Sequence, residues 1–106
     1  MKNLIGNNKN IIKREFKDNG NTIATFDFAA SFVKIGDEPF EMEDGSFICN
    51  DSAIGENQYV GIYNGAPISF TFLKNGFEVE YSNVYGETIA REVFDVKGQL
   101  IFDETL

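Results

Sequence analysis

The residue types that most often carry catalysis are scarce in this chain of 106 residues. It has no His, and Cys49 is its one Cys. His-based acid–base chemistry, His-activated nucleophiles and the common zinc sites are therefore excluded. Paired carboxylates of the glycosidase kind are still permitted, but a β domain of this size rarely forms the cleft that they need. The sequence predicts a protein that is not an enzyme and that uses no metal or cofactor.

Carboxylates form the densest group of charges. The segment 37–44 carries five of them within eight residues: Asp37, Glu38, Glu41, Glu43 and Asp44. They lack the D-x-D-x-D-G spacing of a calcium loop. Two interpretations remain open, namely a hairpin face that is simply solvated, and a docking surface for basic groups. Charges at the rim of such a surface raise the association rate more than the affinity.

A second acidic pair is expected on the outer face of a central hairpin. Glu78 and Glu80 alternate there with apolar residues, and they would extend the docking surface if the two hairpins are neighbours. An interface also needs an apolar anchor, and the candidates are Leu73, Ile48 and Tyr85.

Charge is distributed unevenly along the chain, whose net charge is −8. Five cations and one acid give residues 1–17 a charge of +4, whereas four cations and sixteen acids give residues 18–106 a charge of −12. Net charge bears on solubility and association rather than on fold. Beyond ordinary solubility, such a surface attracts a cationic protein and disfavours direct contact with nucleic acid or an anionic membrane.

The clearest structural pattern is a hairpin over residues 68–82. Its alternation places six apolar residues on one face: Ile68, Phe70, Phe72, Phe77, Val79 and Tyr81. Asn75-Gly76 suits a two-residue type I′ turn, which would pair Phe72 with Val79. A strand at 58–63 should add Tyr59 to the same face.

Other segments also read as short strands. Residues 10–17 predict an edge strand with Lys13, Arg14 and Lys17 on its solvated side. Residues 22–28 alternate clearly. Residues 29–35 fit either a strand, which is favoured, or a two-turn helix capped by Asp27. Asp44-Gly45 predicts a hairpin over 40–49 that pairs Phe40 with Cys49.

Alternation fails in the last hairpin, which turns at Lys97-Gly98. Apolar residues fall on both faces there: Val93, Phe94, Leu100, Ile101 and Phe102. Strands that are apolar on both faces are usually covered on both sides, so we expect this pair to be buried.

Together the segments predict a single all-β domain over 1–106. The fold class is an antiparallel β-sandwich or curled sheet of eight to ten short strands joined by tight hairpins, with room for one short helix. Residues 1–9 are expected to fray. The chain shows no signal-peptide pattern and no long apolar run, which favours a cytoplasmic protein, and a monomer is favoured over an oligomer.

Small, acidic, His-free and Cys-poor β proteins with Asn- and Lys-rich termini resemble bacterial immunity proteins of the contact-dependent growth inhibition type, which neutralise nuclease toxins. Composition and hairpin pattern carry this resemblance. It implies a stoichiometric inhibitor, or antitoxin, that blocks the active-site cleft of a basic toxin domain. Phage-encoded inhibitors of bacterial defence nucleases share the profile, and a small structural or assembly subunit is a third alternative.

Overall fold

Two antiparallel sheets pack face to face in the computed structural model, which describes residues 13–41, 48–51 and 57–106. The first sheet has the order β1-β2-β3-β4, and the second has the order β10-β9-β8-β7-β6-β5. The prediction of an all-β antiparallel sandwich is confirmed. The strands of the first sheet are β1 (Lys13–Asp18), β2 (Asn21–Asp27), β3 (Phe32–Ile35) and β4 (Glu38–Glu41). Those of the second are β5 (Ile48–Asp51), β6 (Asn57–Tyr63), β7 (Ala66–Leu73), β8 (Gly76–Ser82), β9 (Thr88–Asp95) and β10 (Leu100–Thr105).

The space between the sheets is filled mainly by aromatic rings. Phe26 of β2 lies at the centre, with ring centroids 5.0–5.9 Å from those of five other phenylalanines: Phe16, Phe28, Phe70, Phe72 and Phe77. Phe28 stacks on Tyr59 of the opposite sheet at 4.1 Å. Each fully buried large side chain contributes about 1.5–3 kcal/mol before conformational entropy is counted. These inter-sheet contacts hold the sandwich together.

The central hairpin, β7 and β8, has the predicted faces and a different register. Phe72 pairs with Phe77 rather than Val79, so the whole pairing is shifted by two residues. A shift of two keeps every side chain on its face, and the six predicted residues do line the core side. The turn uses Lys74-Asn75 instead of Asn75-Gly76. Gly76 belongs to β8, where a Cβ would lie 1.8 Å from the carbonyl oxygen of Phe94.

In the segment 28–35 the favoured strand is confirmed for Phe32–Ile35, and the alternative two-turn helix is not formed. Phe28–Ala30 forms a single 3-10 turn, capped by the Asp27 carboxylate, which accepts a hydrogen bond from the Ala30 N–H at 3.3 Å. The strand β3 follows. Because the turn changes the phase of the alternation, Phe32 is exposed and Val33 is buried, whereas an uninterrupted strand would have buried Phe32.

The predicted hairpin over 40–49 is wrong. Phe40 pairs with Val33 in the first sheet, and Cys49 pairs with Tyr59 in the second. The Asp44-Gly45 turn itself lies outside the described residues, as do residues 1–12. A favourable turn sequence specifies only a local reversal. The ring of Phe40 lies 5.1 Å from that of Tyr63 and 6.0 Å from that of Phe70, and these long-range contacts determine its place.

The edge strand β1 confirms one prediction and corrects another. Lys13 and Lys17 are exposed on this edge, as expected. Arg14 instead shares a face with the buried Phe16, and its guanidinium lies 4.8 Å from the centre of that ring and 4.9 Å from that of Phe72. The cation therefore closes the side of the aromatic core rather than facing solvent alone.

Candidate functional site

Exposed apolar residues are concentrated in the C-terminal part of the chain, which forms the β9 and β10 edge of the second sheet. Among the described residues, eight of the nine exposed large hydrophobics belong to residues 83–106, which we call the β9–β10 side. They are Val84, Tyr85, Ile89, Val96, Leu100, Ile101, Phe102 and Leu106, and the ninth is Phe32 in the first sheet. Because exposed apolar surface is a feature of protein interaction sites, this edge of the second sheet is the candidate site.

The strand β10 forms the outer edge of this side. Among the described residues no further strand pairs with it. Its pairing with β9 shifts between Leu100 and Phe102, so Leu100 lies opposite Phe94, Phe102 lies opposite Val93, and Ile101 is the extra residue between them. This bulge is why the alternation fails in the sequence. The expectation that the last hairpin is covered on both sides is wrong, since Ile101 is 61% exposed and Phe102 46%.

An arginine organises the outer face of the second sheet, the face turned away from the first sheet. Arg91 of β9 lies in register between Glu80 of β8 and Glu104 of β10. Its guanidinium nitrogens lie 3.3 Å from a carboxylate oxygen of Glu78 and 3.3 Å from one of Glu104. The guanidinium carbon lies 5.5 Å from the centre of the Phe102 ring. The buried Nε makes no hydrogen bond to any described residue, so its contact with Glu78 is electrostatic. The cation is thus already neutralised within the protein.

The loop between β8 and β9 presents its apolar tip on a well-defined backbone. The Asn83 side-chain oxygen accepts hydrogen bonds from the backbone N–H groups of Tyr85 and Glu87, at 2.9 and 3.0 Å. The Asn83 amide donates to the Glu87 carboxylate at 2.8 Å. Tyr85, at the tip, is 85% exposed. Because the backbone of this loop is already held, covering Tyr85 costs side-chain freedom but little additional backbone entropy.

A partly buried hydrogen bond supports β9 from the core side. The Tyr81 hydroxyl donates to Glu92 at 2.8 Å. Burial, and then the hydrogen bond and the charge of Glu92, raise the pKa of Tyr81 well above its ordinary value. The phenol therefore stays protonated and keeps the Glu92 carboxylate in place beside the edge.

The predicted acidic residues that the structure describes are divided between the two sheets. Asp37 is exposed in the turn between β3 and β4, and Glu38 and Glu41 belong to β4, all in the first sheet. Glu78 and Glu80 lie in β8 of the second sheet, so the two groups are not on neighbouring hairpins. Glu43 and Asp44 lie outside the described residues.

The structure places the predicted anchors in different environments. Leu73 is half-buried at the end of β7, and Tyr85 is exposed as the sequence suggested. Ile48 pairs with Val60 in the second sheet. Sequence reasoning missed Phe102 and Ile101. The signal that could have revealed them is the last strand itself, where three apolar residues run directly into Asp103 and Glu104.

Comparison with protein-family models, curated proteins and solved structures gives no match to this chain. Within the described part of the chain, no three or more Cys, Asp and Glu residues lie together as they would around a metal ion. The same part of the chain holds no helix long and apolar enough to span a membrane.

Proposed function

We propose that this protein is a stoichiometric inhibitor of the immunity-protein kind, which binds a cationic nuclease domain through its β9–β10 side. The observation that carries the proposal is the coincidence of exposed apolar residues and negative charge on that side. Residues 83–106 hold five acids against Arg91 and Lys97, a charge of −3, in addition to eight exposed hydrophobics.

Apolar anchors and charge have separate roles in such a complex. Aromatic and aliphatic side chains such as Tyr85, Phe102 and Ile101 supply affinity when a partner excludes water from them. Carboxylates supply attraction at a distance, and they resemble the phosphates that a nuclease cleft normally receives. Because the Arg91 charge is balanced by Glu78 and Glu104, the side keeps its negative field. Association should be fast at low salt and slower as added salt screens the charges.

A titration of nuclease activity tests this function. Immunity genes lie next to the gene of their toxin, so the test partner is the product of the neighbouring gene. The purified chain is added to it in steps, at concentrations well above the dissociation constant. Residual activity should fall linearly and reach zero at one molar equivalent. A phage-type inhibitor would behave in the same way toward a defence nuclease of the host. Turnover of a substrate by this chain, or full nuclease activity at excess chain, would contradict the proposal.

A further inference from the structure

The four sheet edges of the described structure are protected to different degrees. β1 carries Lys13 and Lys17, and β4 carries Pro39, which has no N–H to offer an incoming strand. Lysine and proline are common means by which proteins prevent unwanted strand pairing. The described part of β5 covers four residues, and the residues on either side of it lie outside the described structure. β10 is six residues long and contains neither Lys nor Pro.

The backbone of β10 has groups that point away from the sheet. The Leu106 N–H donates to the Ile89 carbonyl at 2.9 Å, which makes these two a hydrogen-bonded pair. In an antiparallel ladder such pairs alternate, so Glu104 opposite Arg91 is the next one. The N–H and C=O groups of Asp103 and Thr105 therefore point outward. The bulge lies before Phe102, and the register is regular from Phe102 to Thr105.

Side chains along this edge select the kind of strand that would fit. Its first half is apolar, with Leu100, Ile101 and Phe102, and its second half carries Asp103 and Glu104 on opposite faces. A second copy of β10 centred on its acidic half would place carboxylates opposite carboxylates, and both chains would carry −8. Like charges directly opposite each other are destabilising, whereas opposite charges stabilise a cross-strand pair.

We propose that β10 is a docking edge that accepts an extended, basic strand of the partner protein as a seventh strand of the second sheet. Outward backbone groups at Asp103 and Thr105 supply the hydrogen bonds. Aliphatic residues of the incoming strand pack beside Ile101 and Phe102, and its Lys or Arg residues lie beside Asp103 and Glu104. This mode of strand addition rests on the proposed function for its biological partner, but its chemistry is testable without that partner.

The direct test uses a blocked synthetic peptide, Lys-Lys-Lys-Val-Ile-Val, written for antiparallel pairing, and a control peptide with Glu in place of Lys. Titration is followed by amide chemical shifts and hydrogen exchange of the whole chain. We expect saturable binding of the Lys peptide, with the largest shifts and slowed exchange at Asp103 and Thr105. Equal binding of the Glu peptide, no saturable binding at millimolar peptide, or shifts centred on β1 or β4 would overturn the proposal.

Variants separate strand addition from general attraction. D103P removes an outward N–H without removing a bond between β9 and β10, and it should weaken peptide binding at least tenfold. The single reversal D103K leaves the ion pair between Glu104 and Arg91 intact. It should also weaken peptide binding, and it replaces D103P as the test if that variant does not fold. E15K reverses an exposed acid on the β1 edge and should leave binding unchanged. Wild-type affinity in both β10 variants would overturn the proposal.

Two further outcomes are distinguished by the same materials. If the wild-type chain inhibits the nuclease and D103P inhibits it with equal affinity, docking through β10 is wrong and the inhibitor function stands. If the peptide binds at Asp103 and Thr105 but no nuclease is inhibited, docking stands and the proposed function is wrong. If the chain dimerises by itself and hydrogen exchange slows at the Asp103 and Thr105 amides, β10 pairs with a second copy of the chain. That result would overturn the proposal.

Discussion

The guanidinium carbon of Arg91 lies 5.5 Å from the centre of the Phe102 ring, on the outer face of the second sheet. Glu78 and Glu104 each approach the same guanidinium at 3.3 Å. The ring is therefore held beside a cation whose charge is already balanced, while 46% of Phe102 stays exposed. An ordered but uncovered aromatic residue is the kind of group that anchors protein interfaces.

Phe102→Ala should separate binding from stability. We expect a loss of about 2 kcal/mol or more in partner binding, as for an interface anchor. The free energy of unfolding should change by less than about 1 kcal/mol, because the side chain is half exposed. Phe32→Ala is the matched control, since Phe32 is 40% exposed but lies in the other sheet. Calorimetry measures the loss of binding, and urea unfolding measures the loss of stability. Equal binding losses in both variants would mean that Phe102 is not an anchor of the interface.

Phe72→Ala tests the core facing of the central hairpin. The Phe72 ring lies 5.1 Å from that of Phe26 and contacts the opposite sheet, so its removal should destabilise the fold by about 3–5 kcal/mol. Thr71→Ala, one position along on the outer face, loses only a hydrogen bond from Gln58 at 3.3 Å and should cost less than about 1 kcal/mol. Urea midpoints compare the two variants. Similar midpoints would mean that the faces of β7 are assigned incorrectly.

Gly76→Ala should be far more damaging than its position near a turn suggests. A Cβ at Gly76 would lie 1.8 Å from the Phe94 carbonyl oxygen, which would force β8 and β9 apart. We expect a loss of about 3 kcal/mol or more from the clash together with backbone strain. Gly20→Ala is the control, because Gly20 also has a positive φ but nothing within 4 Å of its Cβ position. Thermal unfolding of both variants should show a much larger loss at Gly76, and equal losses would refute this close approach.

Gly76 also explains why the sequence predicts the faces of the hairpin of β7 and β8 but not its register. Alternation alone gives the faces correctly, because faces survive a shift of two residues. It cannot give the register, since Asn75-Gly76 is an excellent turn sequence and nothing local shows that Gly76 is needed against Phe94. The Asp44-Gly45 signal misleads for a related reason. It indicates a reversal of the chain but not whether the flanking strands join one sheet or two.

The candidate site is predictable only in part. The sequence predicts that Tyr85 is exposed, and the structure confirms this exposure. That Tyr85 anchors a partner, and that the partner is cationic, stay predictions. It places the last hairpin in the interior, because apolar residues on both faces usually mean two covered faces. The actual cause is a bulge in β10, an edge to which no other strand of the described structure pairs, and this bulge directs Leu100 and Phe102 to opposite faces. Sheet order is set by long-range pairing, so periodicity within a strand does not reveal an edge.

Alkaline pH should weaken the fold through Tyr81. Its pKa is raised in the folded protein by burial and by the hydrogen bond to Glu92. A raised pKa gives a stabilising contribution that is complete below the unfolded-state value of about 10 and is lost as pH rises through the folded-state value. The Tyr81→Phe variant has no phenol at this position and therefore lacks this ionisation. The difference in unfolding free energy between wild type and Tyr81→Phe should be constant up to about pH 9 and then shift against the wild type. A difference that stays constant throughout the alkaline range would contradict this account.

Hydrogen exchange of the inhibited complex tests most directly whether the β9–β10 side is the binding surface. The chain is compared alone and with one equivalent of the basic nuclease domain, and deuterium uptake is measured along the sequence. We predict slower exchange across residues 84–106, with the largest change in β10, and unchanged exchange at the exposed turn that contains Asp37. Slower exchange confined to that turn and β4, with no change across β9 and β10, would contradict the account.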